Sequence, residues 1–273
     1  MAATSMHCST ELYEKLFAED YVSRCLDSGV RPDARKLLDG RPVSMNRTKA
    51  GACLVKLGHS SALATIQFAV GTPAIATPDQ GEVDLQVFLT GVCQSKFSTQ
   101  RTTDEAQSLS SFLSRTLIGS QVINLRDLCI ESGKCAWKLI ISVLFLDHDG
   151  NALDTAFLAT MMALRDLTFP AITVSSDFVV SLAPEGTDGL PLPVHQTLVP
   201  TTFGLYKDHV LLDPTAQEED VLRGTVTILY NTNGEFCGVY KAGGSLIAGE
   251  TLTRCMKLAR ARTLDTAARM QQH

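Results

Sequence analysis

No helix-length apolar run interrupts this chain: nowhere do roughly 20 apolar residues follow one another, so no membrane-spanning helix is expected. The start, MAATSMHCSTELYEK, has no basic segment leading into an apolar one, so a secretory leader is not expected either, and an intracellular, soluble protein is. An excess of positive charge is also missing. The net charge is −5, which excludes bulk electrostatic attraction to nucleic acid and leaves only a local basic patch or a charged assembly for that purpose. Aromatic residues are only 6% of the chain, with a single tryptophan, Trp137, inside an apolar stretch. A stacking platform for bases is therefore not evident, and Trp137 reads as core.

The motifs of common chemistry are absent as well. The six histidines, at 7, 59, 148, 195, 209 and 273, never pair at metal-ligand spacing, and there is no H-E-x-x-H or G-x-S-x-G. Gly243-Gly244-Ser245 is not followed by a phosphate-binding lysine, and Glu131-Ser132-Gly133-Lys134 lacks the glycine and hydroxyl that flank one, so both read as turns. No cofactor or metal is expected. The eight cysteines, at 8, 25, 53, 93, 129, 135, 237 and 255, show no C-x-x-C pair, which suits reduced thiols rather than a disulfide framework.

What is present is an α+β pattern in two parts. Apolar spacing predicts a helix from Ser9 to about Leu26, stopped by Gly29 and Pro32. After the basic stretch RPDARKLLDGRP, two strands join at Gly58-His59-Ser60, a third runs near Val83–Leu89, and an amphipathic helix covers Thr103–Gly119. CAWKLIISVLFL is a long buried strand, and a helix apolar on nearly every side follows it. TVSSDFVVSL reads as one strand, and PEGTDGLPLP as a linker. Strands near Thr197–Tyr206 and Val210–Leu212, a hairpin turning at Asn233-Gly234 and a helix from Gly249 to Met270 complete the chain. The expected division is an N-terminal extension over 1–30, a first unit over 31–170, a strand and linker over 171–192, and a second unit over 193–273.

Asp147-His148-Asp149-Gly150-Asn151 is the most conspicuous candidate site. It fails as a calcium loop, because glycine stands fourth rather than sixth and the twelfth residue is Leu158 rather than glutamate. A turn with Gly150 at positive φ explains it, and Asp154, in the first turn of the next helix, is favoured by the helix dipole. Basic residues gather in three places: Arg31, Arg35 and Arg41; Lys96 and Arg101; and Arg254, Lys257, Arg260, Arg262 and Arg269 on the last helix, where between 254 and 269 the one acid is Asp265. The last group reads as a solvated face, while Lys96 and Arg101, on a loop before a helix, are the candidate phosphate contacts.

Taken together, several segments resemble the RNase PH-like family, and within it the ring subunits of the RNA exosome. They are Arg31-Pro32-Asp33-Ala34-Arg35 with Arg41-Pro42 and LVKLGHSS, PDQGEV, CQSKF with DEAQ, DLCI-x-SGK, LD-x-DGN-x-LD, DPTAQEE and KAGGSL. Ala34 stands where the family pattern has glycine. The resemblance implies the ribosomal protein S5 domain 2-like fold, two units of mixed sheet covered by helices. It also implies a branch. Phosphorolytic members carry D-A-G-T/S at the turn after the long strand and an acid pair opening the second unit; here the turn reads DHDGN, the last acid's place falls near Pro193, and only Asp188 remains nearby. The resemblance thus implies a non-catalytic subunit supporting rRNA maturation and mRNA turnover. It would stand in a hetero-hexameric ring with other RNase PH-like subunits, S1/KH cap proteins, a separate nuclease and single-stranded RNA in the channel, in the nucleus, nucleolus and cytoplasm. A phosphate-dependent 3′→5′ exoribonuclease is the alternative.

Overall fold

The computed structural model describes residues 16–49, 51–90, 99–170, 172–174, 180–182, 189–243 and 246–271. Helix α1 (Ala18–Asp27) buries Val22 and Leu26 against Tyr206 and Leu211 and ends where Gly29 takes φ +78°. The first sheet contains β1 (Val43–Lys49), β2 (Ala52–Leu57), β3 (Ser60–Gly71), β4 (Glu82–Leu89), β5 (Cys129–Glu131) and β6 (Cys135–Asp147). Its order is β1-β2-β3-β6-β4, antiparallel except that β4 runs parallel to β6, with β5 paired to β6. Two parallel neighbours need a crossover, and helix α2 (Thr99–Gly119) supplies it. Leu109, Phe112, Leu113 and Leu117 of α2 join Leu85, Val87, Leu139, Ile141 and Val143 in one core.

Helix α3 (Ala152–Arg165) and two small pairs follow: β7 (Thr168–Phe169) with β10 (Leu190–Pro191), and β8 (Ile172–Val174) with β9 (Val180–Leu182). TVSSDFVVSL is thus two short antiparallel strands and not one, because the chain doubles back and pairs Ile172 with Leu182. The second sheet is β12-β11-β13-β14, built from β11 (Leu198–Tyr206), β12 (His209–Leu212), β13 (Gly224–Asn231) and β14 (Phe236–Tyr240), all antiparallel. A short helix α4 (Ala216–Glu219) lies between β12 and β13, and α5 (Gly249–Gln271) packs Cys255 and Ala259 onto Phe203, Val226, Ile228 and Tyr230.

This arrangement explains the all-round apolarity of α3. It packs on β2 and β3 on one side and on β11 on the other, so every residue from Ala152 to Leu164 is buried. Strand β11 in turn lies between α3 and α5 and is buried along its whole length. Trp137 is 8% exposed and stacks on Phe169 at 5.1 Å, so it is core, as its apolar neighbours suggest. Strand β1 is an element the sequence pattern does not announce: VSMNRTK has only Val43 and Met45 to turn inward. No described helix is long and apolar enough to cross a membrane.

Candidate functional site

The turn between β6 and α3 stands where the two sheets meet. Gly150 has φ +75° and Asn151 φ +52°, two successive left-handed residues that reverse the chain into the helix. Asparagine is among the few side-chain-bearing residues that tolerate this conformation. Its side chain also caps α3, accepting from the Asp154 N–H. Asn151 Nδ2 then donates to Asp154 Oδ2 at 2.9 Å and to Asp213 Oδ1 at 2.6 Å. Asp154 does more than answer the helix dipole. Its Oδ1 accepts from Thr202 Oγ1 at 2.6 Å and its Oδ2 from the Thr202 N–H at 3.0 Å, fastening α3 to β11. Burial pushes its carboxyl up, and the hydrogen bonds from Thr202 and Asn151 offset only part of that rise.

Two of the three arginines before β1 are interior. Arg31 is 1% exposed, and all five of its guanidinium N–H groups are used. Nε and Nη2 donate to Glu218 at 2.7 and 2.5 Å, and the others to the carbonyls of Asp39, Leu212 and Asp213. Arg41, 7% exposed, grips Asp213 with Nε at 3.0 Å and Nη2 at 2.8 Å, and donates through Nη1 to the Asp149 carbonyl at 2.6 Å. Burial acts to raise the Asp213 carboxyl, but Arg41 and Asn151 outweigh it and hold it down at about 2. Arg35, partly exposed, pairs with Asp33 and lies 3.6 Å from Asp213. These cations are therefore committed to the protein's own carboxylates and cannot serve as a phosphate patch. Glu218 is itself held in place locally, since Thr215 and Glu218 have capping-box spacing and Thr215 N donates to Glu218 Oε2 at 2.9 Å.

Glu219 Oε1 accepts from the Asn151 N–H at 2.8 Å. Burial pushes its carboxyl up, the Asn151 N–H and Arg41 pull it down, Glu105 and Asp213 push it up again, and it settles at about 7. An acid raised in the folded state stabilises fully below its unfolded value and loses that contribution as pH rises through about 7. Glu219→Gln keeps the acceptor and removes the ionisation. It is expected to be near neutral at pH 5 and to stabilise at pH 8 by up to about 3 kcal/mol, read from urea denaturation at both pH values. An equal change at the two would refute the assignment.

A shallow groove of about 360 Å³ runs along α2, lined by Asp104, Gln107, Ser108, Ser111, Arg115 and Tyr240, with the Tyr240 ring 4.1 Å from that of Phe112. One acid and one base line it, which does not match a polyanion. Of the sequence-derived RNA contacts, Lys96 lies outside the described residues. Arg101 stands in the first turns of α2, and its side chain lies outside them too. Asp188 is likewise outside, and Pro193 follows the buried Leu192. Among the described residues no cluster of His, Cys, Asp and Glu could hold a metal ion.

Residues 40–170 match the first domain of the 3′ exoribonuclease (RNase PH) family and residues 197–262 match its second. The chain belongs to the RNase PH family. Among curated relatives, exosome complex component rrp45 of Schizosaccharomyces pombe is 31% identical over 258 residues, which is 93% of this chain and 87% of that protein. Exosome complex component rrp43 of the same yeast is 29% identical over 255 residues, 92% of this chain and 94% of that one. Human RRP45 is 27% identical over 242 residues, and this chain spans 55% of its length. An archaeal exosome core chain shares the fold at a TM-score of 0.78 and 24% identity, covering 93% of this chain and 96% of that one. A chain of the Archaeoglobus fulgidus exosome with RNA bound to the active site has the same TM-score and coverages at 25% identity. In this RNase PH family chain, the α+β architecture of two helix-covered mixed or antiparallel sheets is the one the motif series implies. The turn that carries DHDGN is also its structural keystone.

Proposed function

We propose that this chain is a non-catalytic structural subunit of an RNA exosome ring, supporting 3′→5′ RNA processing and degradation. The observation that carries this reading is likeness over nine-tenths of the chain to two proteins named as exosome complex components. The turn at the head of α3 supports it. The Gly150 carbonyl accepts from Ser60 and Arg41, the Asn151 side chain is taken by Asp154 and Asp213, and the Asn151 N–H by Glu219. Groups engaged in this way hold the fold and are not free to polarise a phosphodiester. The sequence around 183–193 holds two acids, Glu185 and Asp188, and neither stands at the place near Pro193 where the resemblance puts the last acid of the active-branch pair.

On this reading the chain sits in a hetero-hexamer of RNase PH-like subunits, with S1/KH cap proteins and a separate nuclease, in nucleus, nucleolus and cytoplasm. Its working units are 31–170 and 193–273, joined through 171–192, with 1–30 as an extension. Incubated with oligoadenylate, Mg²⁺ and phosphate, the purified chain is expected to release no nucleoside diphosphate; release by the chain alone would overturn the reading. Lys96 and Arg101 contact RNA phosphates in the assembled ring. Reversing both charges is expected to lower RNA crosslinking to this subunit several-fold, and unchanged crosslinking removes them from the path.

A further inference from the structure

Helix α5 carries five cations, Arg254, Lys257, Arg260, Arg262 and Arg269, against Glu250 and Asp265, in a chain whose net charge is −5. Favourable interaction with the helix dipole belongs to the last turn, so it accounts for Arg269 but not for Arg254, Lys257 and Arg260, which lie in the first half. Those three are exposed, and among the described residues none has an ion pair. Their three-residue spacing makes them neighbours on one ridge, which slants across the face of α5 opposite Cys255 and Ala259. At one end of the ridge, Arg260 Nε lies 3.1 Å from where a Cβ on Gly234 would stand, in the β13–β14 turn.

Two residues beyond Gly234 is Phe236. It pairs with Tyr230 across the sheet, and Tyr230 belongs to the core beneath α5, so Phe236 faces the α5 side. Its ring meets that of Tyr230 edge-on at 5.8 Å, yet it remains 49% exposed, because α5 covers β11 and β13 and leaves the edge strand β14 open. Val239, opposite Ile228 on the same face, is 43% exposed. Unpaired cations in file beside an open aromatic ring make up the surface that single-stranded nucleic acid uses: phosphates on the cations, a base on the ring. An acidic peptide would use the cations and have no need of the ring.

We propose that the Arg254–Lys257–Arg260 ridge, with Phe236 at its Arg260 end, binds single-stranded RNA on the surface of the second unit. The inference rests on the RNA-ring reading but concerns a surface separate from Lys96 and Arg101. The test is anisotropy of labelled oligoadenylate with the full chain, as a function of salt. The triple reversal R254E/K257E/R260E is expected to weaken binding at least tenfold and to lower the slope of log K against log salt by about 2, at ~0.7 per single-strand phosphate contact. Phe236→Ala is expected to weaken binding about fivefold or more with the slope unchanged. Binding within twofold of the parent for the triple variant, with parental melting temperature, would overturn the proposal. So would polyglutamate competing as well as RNA while Phe236→Ala has no effect, which would mark the ridge as a contact for acidic protein. Incorporation of the same variants into the assembled ring, weighed by native mass spectrometry, reports on the ring reading alone: parental incorporation with weakened RNA binding supports the ridge, and failure of the parent chain itself to incorporate counts against the ring.

Discussion

Asp213→Ala is expected to cost about 3–5 kcal/mol, the range for removing one partner of a buried, hydrogen-bonded ion pair. Asp213 is fully buried and receives Arg41 through the side chain twice and through its N–H once, besides the amide of Asn151. Its loss leaves the Arg41 guanidinium, 7% exposed, with three carbonyls and the partly exposed Asp149 carboxylate at 3.5 Å to meet it. In thermal terms this is roughly a 10 °C drop for a chain of this size, read by calorimetry or circular dichroism. The pH dependence sharpens the test. With the folded carboxyl held at about 2, its contribution is complete above the unfolded value near 4 and disappears as pH falls from there to 2. The gap in stability between parent and variant should therefore close in acid. A gap that stays constant from pH 7 to pH 2.5 would mean the carboxylate charge is not what holds Arg41.

Gly150→Ala is expected to be nearly as damaging, at about 3 kcal/mol or more, through geometry and not charge. At φ +75° any side chain carries a steric cost of about 1–2 kcal/mol. The new methyl would also stand 2.4 Å from the Ala216 nitrogen, 2.5 Å from the Thr215 carbonyl carbon and 2.8 Å from the Pro214 oxygen. These are backbone atoms of the segment that presents Asp213 and Glu218, so relief requires the second unit to move away from the first. By contrast Gly133, also at positive φ, has open space around it, and Gly133→Ala should cost only the conformational term. Urea titration of the two variants separates the contributions; equal costs would show that close approach at the junction is not what selects glycine at 150.

Local patterning reached most elements because it is local. β6 alternates inward Leu139, Ile141, Val143 and Phe145 with half-exposed neighbours, and the hairpin at Gly234 follows from its turn residues. Where pattern is thin it failed: β1 offers two inward residues, and β8 and β9 are three residues each. The roles of charged residues were least legible. Arg31 and Arg41 read as a basic cluster, and nothing within tens of residues shows that their partners stand 187 and 172 positions away. Asp154 illustrates a partial reading. Its place in the first turn of α3 is visible in the sequence, but its bond to Thr202 appears only when β11 is laid against the helix. For Lys96 and Arg101 the sequence supplies charge and loop context, while an RNA path is a property of the assembly.

The Arg31–Glu218 pair also sets an order of events during synthesis. Arg31 leaves the ribosome 187 residues ahead of its carboxylate. At about 5–20 residues per second the guanidinium waits roughly 10–40 s for its partner. In the last part of that interval, once Ala152–Arg165 is made and before Leu198–Tyr206 follows, the side of α3 destined for β11 is apolar and has no sheet to cover it. The first unit is thus a nascent intermediate with an open apolar flank, and the stretch from Leu198 to Glu219 closes it. Chaperone engagement should be densest on ribosomes that have passed Arg165 but have not yet released Glu219.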